Sequence, residues 1–113
     1  MKIGCHCGAT IFDQTDDLPQ KGHLIPDQEW FATYDAMDDE VIVPLAKGVI
    51  DKEKAFRLSR AVISRASRLM YQCSICGRLY IDDKRGSGLH CYVPSDDTTS
   101  KEILRSRDTR SEA

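Results

Sequence analysis

The sequence lacks any apolar run approaching the roughly 20 residues that a membrane-spanning helix requires. It also lacks an apolar stretch ahead of its first cysteine. The opening MKIGC is therefore not expected to act as a lipoprotein-type signal, and the expected location is cytoplasmic, in a reducing compartment. No glycine-rich stretch carries the lysine and helix of a phosphate loop, and Gly86-Ser87-Gly88 reads instead as a hairpin turn. No serine or cysteine stands in a pattern that supplies a credible base, so an activated nucleophile is not expected. The acidic groups Asp13, Asp16, Asp17 and Asp35, Asp38, Asp39, Glu40 lack a spaced carboxylate-plus-lysine pattern and read as a solvated face. A strong excess of base is missing too. The net charge of −2 argues against a strong non-specific grip on nucleic acid.

What remains is a chain of 113 residues, 41% hydrophobic and 30% charged, which suits one small soluble domain. A chain this short buries a modest core, and a bound metal is one way to reinforce it. MKIGCHCGATIFD reads as strand, cysteine turn, strand. Residues 14–26, with two prolines and Gly22, read as loop. DQEWFATYDAMDDE reads as a helix in which Asp27 caps and Trp30, Phe31, Tyr34 and Met37 share a face, most of those aromatics being expected in the core. VIVPLAKG is apolar, broken by Pro44, and reads as either strand or loop. Asp51 predicts an N-cap for a longer helix over about 52–70, with Ala55, Phe56, Leu58, Val62, Ala66 and Leu69 as its apolar stripe. RLMYQCSICGRLYIDDKRGSGLHCYVP reads as strand, cysteine turn, strand, glycine-rich turn, strand. Residues 95–113 are polar and read as a flexible tail, with a short turn of helix at 101–107.

Five cysteines, an odd number, in a reducing compartment point to metal ligands or redox groups rather than a disulfide framework. Four of them form two tight pairs, Cys5-His6-Cys7-Gly8 and Cys73-Ser74-Ile75-Cys76-Gly77. Protein-bound zinc takes four tetrahedral nitrogen or sulfur ligands, and a short turn places two sulfurs on one ion when the backbone curls around it. A glycine after the second cysteine tolerates positive φ and lets backbone amides face the sulfurs. The two turns on adjacent hairpins then gather Cys5, Cys7, Cys73 and Cys76 around one Zn2+. The redox reading is weaker, because a thioredoxin-like C-x-x-C opens a helix, whereas GRLYIDD after Cys76 reads as strand.

The motifs CHCG and CSICG, with the strands ATIFD and RLYIDD that follow them, resemble the zinc-ribbon family, and the second knuckle is similar to those of small uncharacterised bacterial zinc-ribbon proteins. The likeness covers about residues 1–13 and 69–93. It implies an α+β fold: a small antiparallel sheet carrying two cysteine knuckles, here with a helical insertion of about 14–68 in a single domain of 1–94. Two features depart from the family pattern. Positions 8–72 separate the pairs where about 15–20 residues are usual, and the first pair is C-x-C. The short pair leaves open whether His6 or Cys91 replaces one thiolate. Otherwise Cys91 reads as a small buried hydrophobe, His6 as pointing outward and His23 as a surface loop residue.

Zinc held by four protein ligands has no open position for water or substrate, so no enzymatic activity is expected. Charge is segregated along the chain: residues 1–45 carry nine acids and two bases, while 52–85 carry nine bases and three acids. Lys54, Arg57, Arg65 and Arg68 form a basic stripe on the 52–70 helix, which suits phosphate contact with a nucleic acid, a protein partner or plain solvent. The acidic segment 13–40, with its interleaved aromatics, suits a basic protein partner. The expected function is a zinc-stabilised, noncatalytic protein-interaction module, in one form a toxin-neutralising, immunity-type protein. A nucleic-acid-binding or regulatory zinc ribbon is the alternative.

Overall fold

The computed structural model describes residues 1–83 and 88–106. The expected hairpin turn at Gly86-Ser87 and the end of the tail beyond residue 106 lie outside the described residues. The chain forms two compact units, one made of Met1–His23 with the chain from Leu69 onward, the other of Leu24–Arg68. Helices and antiparallel sheets are both present, so the class is α+β. Among the described residues no helix is long and apolar enough to cross a membrane.

The first unit opens with strands β1 (Lys2–Gly4) and β2 (Thr10–Phe12), an antiparallel pair in which Ile3 faces Ile11. Alternation buries those two isoleucines and exposes their neighbours. A four-stranded sheet follows in the order β3 (Lys21–Leu24), β4 (Arg68–Gln72), β5 (Leu79–Asp82), β6 (Leu89–Tyr92). Its β4–β5 and β5–β6 pairs are antiparallel, with Tyr71 opposite Tyr80 and Tyr80 opposite Cys91. Ile3, Cys5, Ile11, Tyr71, Cys73 and Tyr80 form the buried core of this unit. The Tyr71 hydroxyl, taken out of water, donates to Asp13 Oδ2 at 2.5 Å, and Lys21 Nζ reaches the same carboxylate at 3.0 Å.

Strand β3 falls in the stretch expected to be loop. KGHL has little intrinsic strand preference, but Gly22 lies so close to β4 that a Cβ there stands 3.1 Å from Met70 Cγ. A partner strand outweighs local propensity. His23 is exposed as expected, although on this strand rather than in a loop. The start of the expected tail is also tied to the sheet. Buried Gln72 donates through Nε2 to the Ser100 carbonyl at 2.9 Å and accepts from the Ile103 N–H at 2.8 Å.

The second unit is helical. Helix α1 (Asp27–Met37) continues through a π-helical turn (Asp38–Ile42) into α2 (Val43–Ala46), and α3 (Lys52–Ala66) follows. Pro44 explains the π turn: it has no N–H to bond the Glu40 carbonyl and its ring crowds that carbonyl, so the preceding turn widens. Val43 N–H accordingly bonds Asp38 O, five residues back. Asp51 caps α3 as expected, accepting from Lys54 N–H at 2.8 Å. Asp27 is not the cap of α1; Pro26 occupies that position and offers no side-chain acceptor.

Three further expectations for these helices fail. α3 ends at Ala66 rather than about 70, because Ser67 turns extended and β4 begins at Arg68, so Leu69 leaves the helical stripe. Phe56 is exposed, and the packed face is Ala55, Val62 and Ala66 with Leu58 beside them. The α1 aromatics are not core either: α1 buries no residue, and Trp30, Phe31 and Tyr34 are 42%, 74% and 54% exposed. The small core of Val41, Ala55 and Val62 is completed by Ala36, Met37, Ile50 and Leu58, which leaves the aromatic flank outside.

Candidate metal centre

The β1–β2 hairpin carries Cys5 and Cys7 at its tip, and the β4–β5 hairpin carries Cys73 and Cys76 at its own. The two turns are built alike. In the first, Cys5 N–H donates to the Ala9 carbonyl at 2.8 Å and Gly8 N–H to the Cys5 carbonyl at 3.0 Å. In the second, Cys73 N–H donates to the Arg78 carbonyl at 2.9 Å and Gly77 N–H to the Cys73 carbonyl at 2.8 Å. Each turn is closed by the glycine N–H and by the residue after that glycine. The C-x-C turn is the C-x-x-C turn shortened by one residue, with its closing bonds kept. Gly8 and Gly77 have φ of 97° and 84°, the left-handed region that side chains avoid. At Gly77 a Cβ would also stand 3.1 Å from Pro94 Cγ and 3.2 Å from Lys101 Cγ, so those side chains would have to give way by a few tenths of an ångström.

The two tips bring all four sulfurs within 4.8 Å of one another. Cys5 Sγ lies 3.4 Å from Cys76 Sγ, and Cys7 Sγ 3.7 Å from Cys73 Sγ. All five cysteines are free thiols. A tetrahedron with metal–sulfur arms of ~2.3 Å has sulfur–sulfur edges of ~3.8 Å, which these two separations approach. The group can therefore hold a metal ion. Neither His6 nor Cys91 is among the four clustered residues. His6 is exposed, and Cys91 is half-buried on β6 against the core of this unit.

The surroundings favour the thiolate at Cys5 and Cys76 and oppose it at Cys7. Burial opposes ionisation of Cys5, yet the Cys7 N–H, the Tyr80 hydroxyl and the neighbouring thiols of Cys76 and Cys7 bring it down to about 6. Cys7 goes the other way, to about 11: the Ala9 N–H favours its thiolate, but burial and the thiols of Cys5, Cys73 and Cys76 outweigh that bond. Cys76 is lowered despite burial, by the Arg78 N–H and the Arg78 guanidinium, and the Arg78 cation is reciprocally strengthened by Cys76. One pattern recurs: the N–H two residues on faces the sulfur, Cys7 to Cys5, Ala9 to Cys7 and Arg78 to Cys76.

Tyr80 and Arg78 are supporting residues that the cysteine motif alone does not single out. Tyr80 accepts from His6 N–H at 3.1 Å, faces Cys5 and Cys91, and is itself pushed up by burial. Both follow the second knuckle closely in sequence: Arg78 comes directly after Gly77 and its carbonyl closes the turn, and Tyr80 lies on β5 opposite Tyr71.

The basic stripe does not assemble as expected. Arg68 lies half-buried in β4, off the helix, and Arg65 forms a two-pronged ion pair with Glu40, which leaves Lys54 and Arg57 exposed on α3.

No curated protein and no solved structure matches the chain significantly. One family model does match, over residues 1–96, a span that includes all four clustered cysteines and the whole helical unit. The chain belongs to that family, described as a domain of unknown function (DUF8617).

Proposed function

We propose that Cys5, Cys7, Cys73 and Cys76 hold one Zn2+ ion as the closed structural centre of a zinc ribbon, and that the protein is a noncatalytic protein-interaction module. The observation that carries the reading is the convergence of four thiols within 4.8 Å from two hairpin tips. An all-thiolate tetrahedral set suits zinc or iron and disfavours the hard cations magnesium and calcium. With all four positions filled by protein there is no place for water or substrate, so the ion stabilises the fold and activity falls to the surface. A toxin-neutralising, immunity-type role is the specific form of this proposal. The acidic residues of segment 13–40 would meet a cationic target there, and charge complementarity would speed the encounter. The nucleic-acid reading draws less support, since Arg65 is engaged by Glu40 and Arg68 has left the helix.

The test is elemental analysis of the purified chain, followed by cobalt replacement. One zinc per chain and a tetrahedral tetrathiolate cobalt spectrum support the reading. Metal-free folded protein, stoichiometric iron or a metal-bound water overturns the closed zinc centre. Salt-dependent retention of random-sequence DNA or RNA overturns the choice of a protein partner.

A further inference from the structure

The helical unit is left with too much apolar surface for its core. Only Val41, Ala55 and Val62 form its buried cluster, while Trp30, Phe31 and Tyr34 of α1 and Phe56 and Ile63 of α3 are exposed. Trp30 and Tyr34 pack edge to face, with centroids 5.3 Å apart at 82°. Between α1 and α3 lies an apolar cavity of about 210 Å³ lined by Ile25, Trp30, Thr33, Tyr34, Met37 and Ile63. That is below the ~300–1,000 Å³ usual for a small-molecule site and suits an anchoring side chain. A contiguous exposed apolar patch of this kind marks an interaction surface.

Charge selects the occupant. Residues 24–46 contain six acids and no base. Asp27, Phe31 and Asp38 follow one another at helical spacing along the α1 flank of the seam. On the α3 flank, Lys52, Phe56, Arg60 and Ile63 do the same and are all exposed. Among the described residues none of Asp27, Asp38, Lys52 and Arg60 forms an ion pair. The face is thus acidic along one wall, basic along the other and apolar between. An external cationic helix matches the α1 wall but meets Lys52 and Arg60 with like charge. A second copy, turned about a twofold axis running along the seam, sets its α3 on α1 and its α1 on α3. Both walls then find opposite charge, and the aromatics of each copy find apolar partners. A twofold across the seam sets acid on acid. Self-complementarity of this kind is what an isologous dimer interface requires.

We propose that the α1–α3 face is the interface with a second copy of this chain. The proposal rests on the interaction-module reading in placing function at a protein surface, and it is independent of the metal.

Sedimentation of the full chain tests it. The expected result is a species of twice 12.7 kDa that dissociates on dilution, with the emission of Trp30, the sole tryptophan, moving to longer wavelength as the seam opens. Two double variants reverse one wall each: Asp27→Lys with Asp38→Lys, and Lys52→Glu with Arg60→Glu. Each alone should dimerise at least about tenfold more weakly, because like charges then face each other. Mixing the two should restore a heterodimer, which an unfolded variant cannot do. Phe31→Ser, at a side chain 74% exposed, gives a readout that does not disturb the fold and should also weaken association. A chain that stays monomeric with unresponsive Trp30 overturns the proposal. So does a dimer indifferent to all three variants. A monomer whose Trp30 emission shifts only on adding a cationic helical peptide also overturns it, and assigns the face to a different partner. None of these outcomes depends on zinc content, so failure here and failure of the metal centre are separable.

Discussion

Replacing Tyr80 by phenylalanine removes one oxygen from a ring that is 4% exposed and leaves the ring volume in place, so no cavity is created. What is lost is the acceptor for His6 N–H at 3.1 Å and the hydroxyl that helps hold the Cys5 thiol at about 6. A hydrogen bond to a charged partner contributes about 1.5–3 kcal/mol, or roughly 10- to 100-fold in a binding constant, the range seen when outer partners of metal ligands are removed. The pH dependence follows from the direction of the shift. In the native chain Cys5 is mostly thiolate at pH 7 and has little proton to release when metal binds. Without the hydroxyl its pKa moves part of the way back toward the ordinary value of 9.0, since three other contacts remain. Binding at pH 7 then has to expel an additional fraction of a proton, larger the further the pKa has moved. The affinity deficit is full below about pH 6, shrinks as pH rises, and vanishes once both thiols are ionised above the ordinary thiol range. Competition against a chelator between pH 6 and 9 reads the affinity. Calorimetry in buffers of different ionisation enthalpy reads the proton count. A folded Tyr80→Phe protein with native affinity and native proton release at pH 7 would refute the role given to Tyr80 and weaken the assignment of Cys5 as a thiolate ligand.

Three further outcomes are expected. Cys73→Ser should lose stoichiometric metal and its cooperative melting transition; retained metal with an unchanged melting curve removes Cys73 from the ligand set. Gln72→Ala should destabilise the chain by about 2–4 kcal/mol, from three broken bonds and the buried groups left behind. Urea unfolding measures the loss, and faster amide exchange at Ile103 locates it; a native urea midpoint contradicts the anchoring of the chain beyond Ser95. Asp13→Asn tests a carboxylate held below its usual range, first by the Tyr71 hydroxyl and then by Lys21. A depressed folded pKa gives stability that is complete above the unfolded value of about 3.9 and is lost as pH falls through the folded one. The advantage of native over Asp13→Asn should therefore be largest near pH 6 and shrink below pH 4, and a constant difference argues against the pairing.

The cysteine knuckles were legible because their signal is local: residue type, spacing and a glycine whose positive φ the turn demands. Strands β1, β2, β5 and β6 and the cap of α3 were legible for the same reason. The misplaced features all depend on distant partners. KGHL is a strand because of β4, and the segment after Ser95 is held because Gln72 supplies its missing donor and acceptor. The α1 aromatics carry a helical period that looks like a core face, but periodicity reports that a face exists, not that this chain covers it. The uncovered face is the feature on which the dimer proposal stands. Arg65 likewise looks free on a helical wheel and is engaged only because Glu40, 25 positions earlier, is brought to it.

The long separation of the two cysteine pairs, the sharpest departure from zinc-ribbon spacing, has a physical resolution in the strand pairing. Loop-closure entropy grows only as the logarithm of length, so spanning 65 residues (positions 8–72) instead of about 18 adds roughly 1 kcal/mol. Even that overstates the burden. Gln72 N–H bonds the Gln20 carbonyl at 2.8 Å, so the chain that leaves at Gln20 has returned alongside itself before Cys73. Counted across that bond, only residues 8–20 and Gln72 separate Cys7 from Cys73, close to the 15–20 residues usual between the pairs of such sites. The excursion through α1, α2 and α3 falls between the paired strands β3 and β4 in sequence and supplies none of the four clustered cysteines. On this reading the centre tolerates changes within the excursion but not in its base. Disrupting the Gln20–Gln72 pairing should weaken metal binding more than any substitution among Phe31, Phe56 and Ile63, although none of these positions offers a ligand.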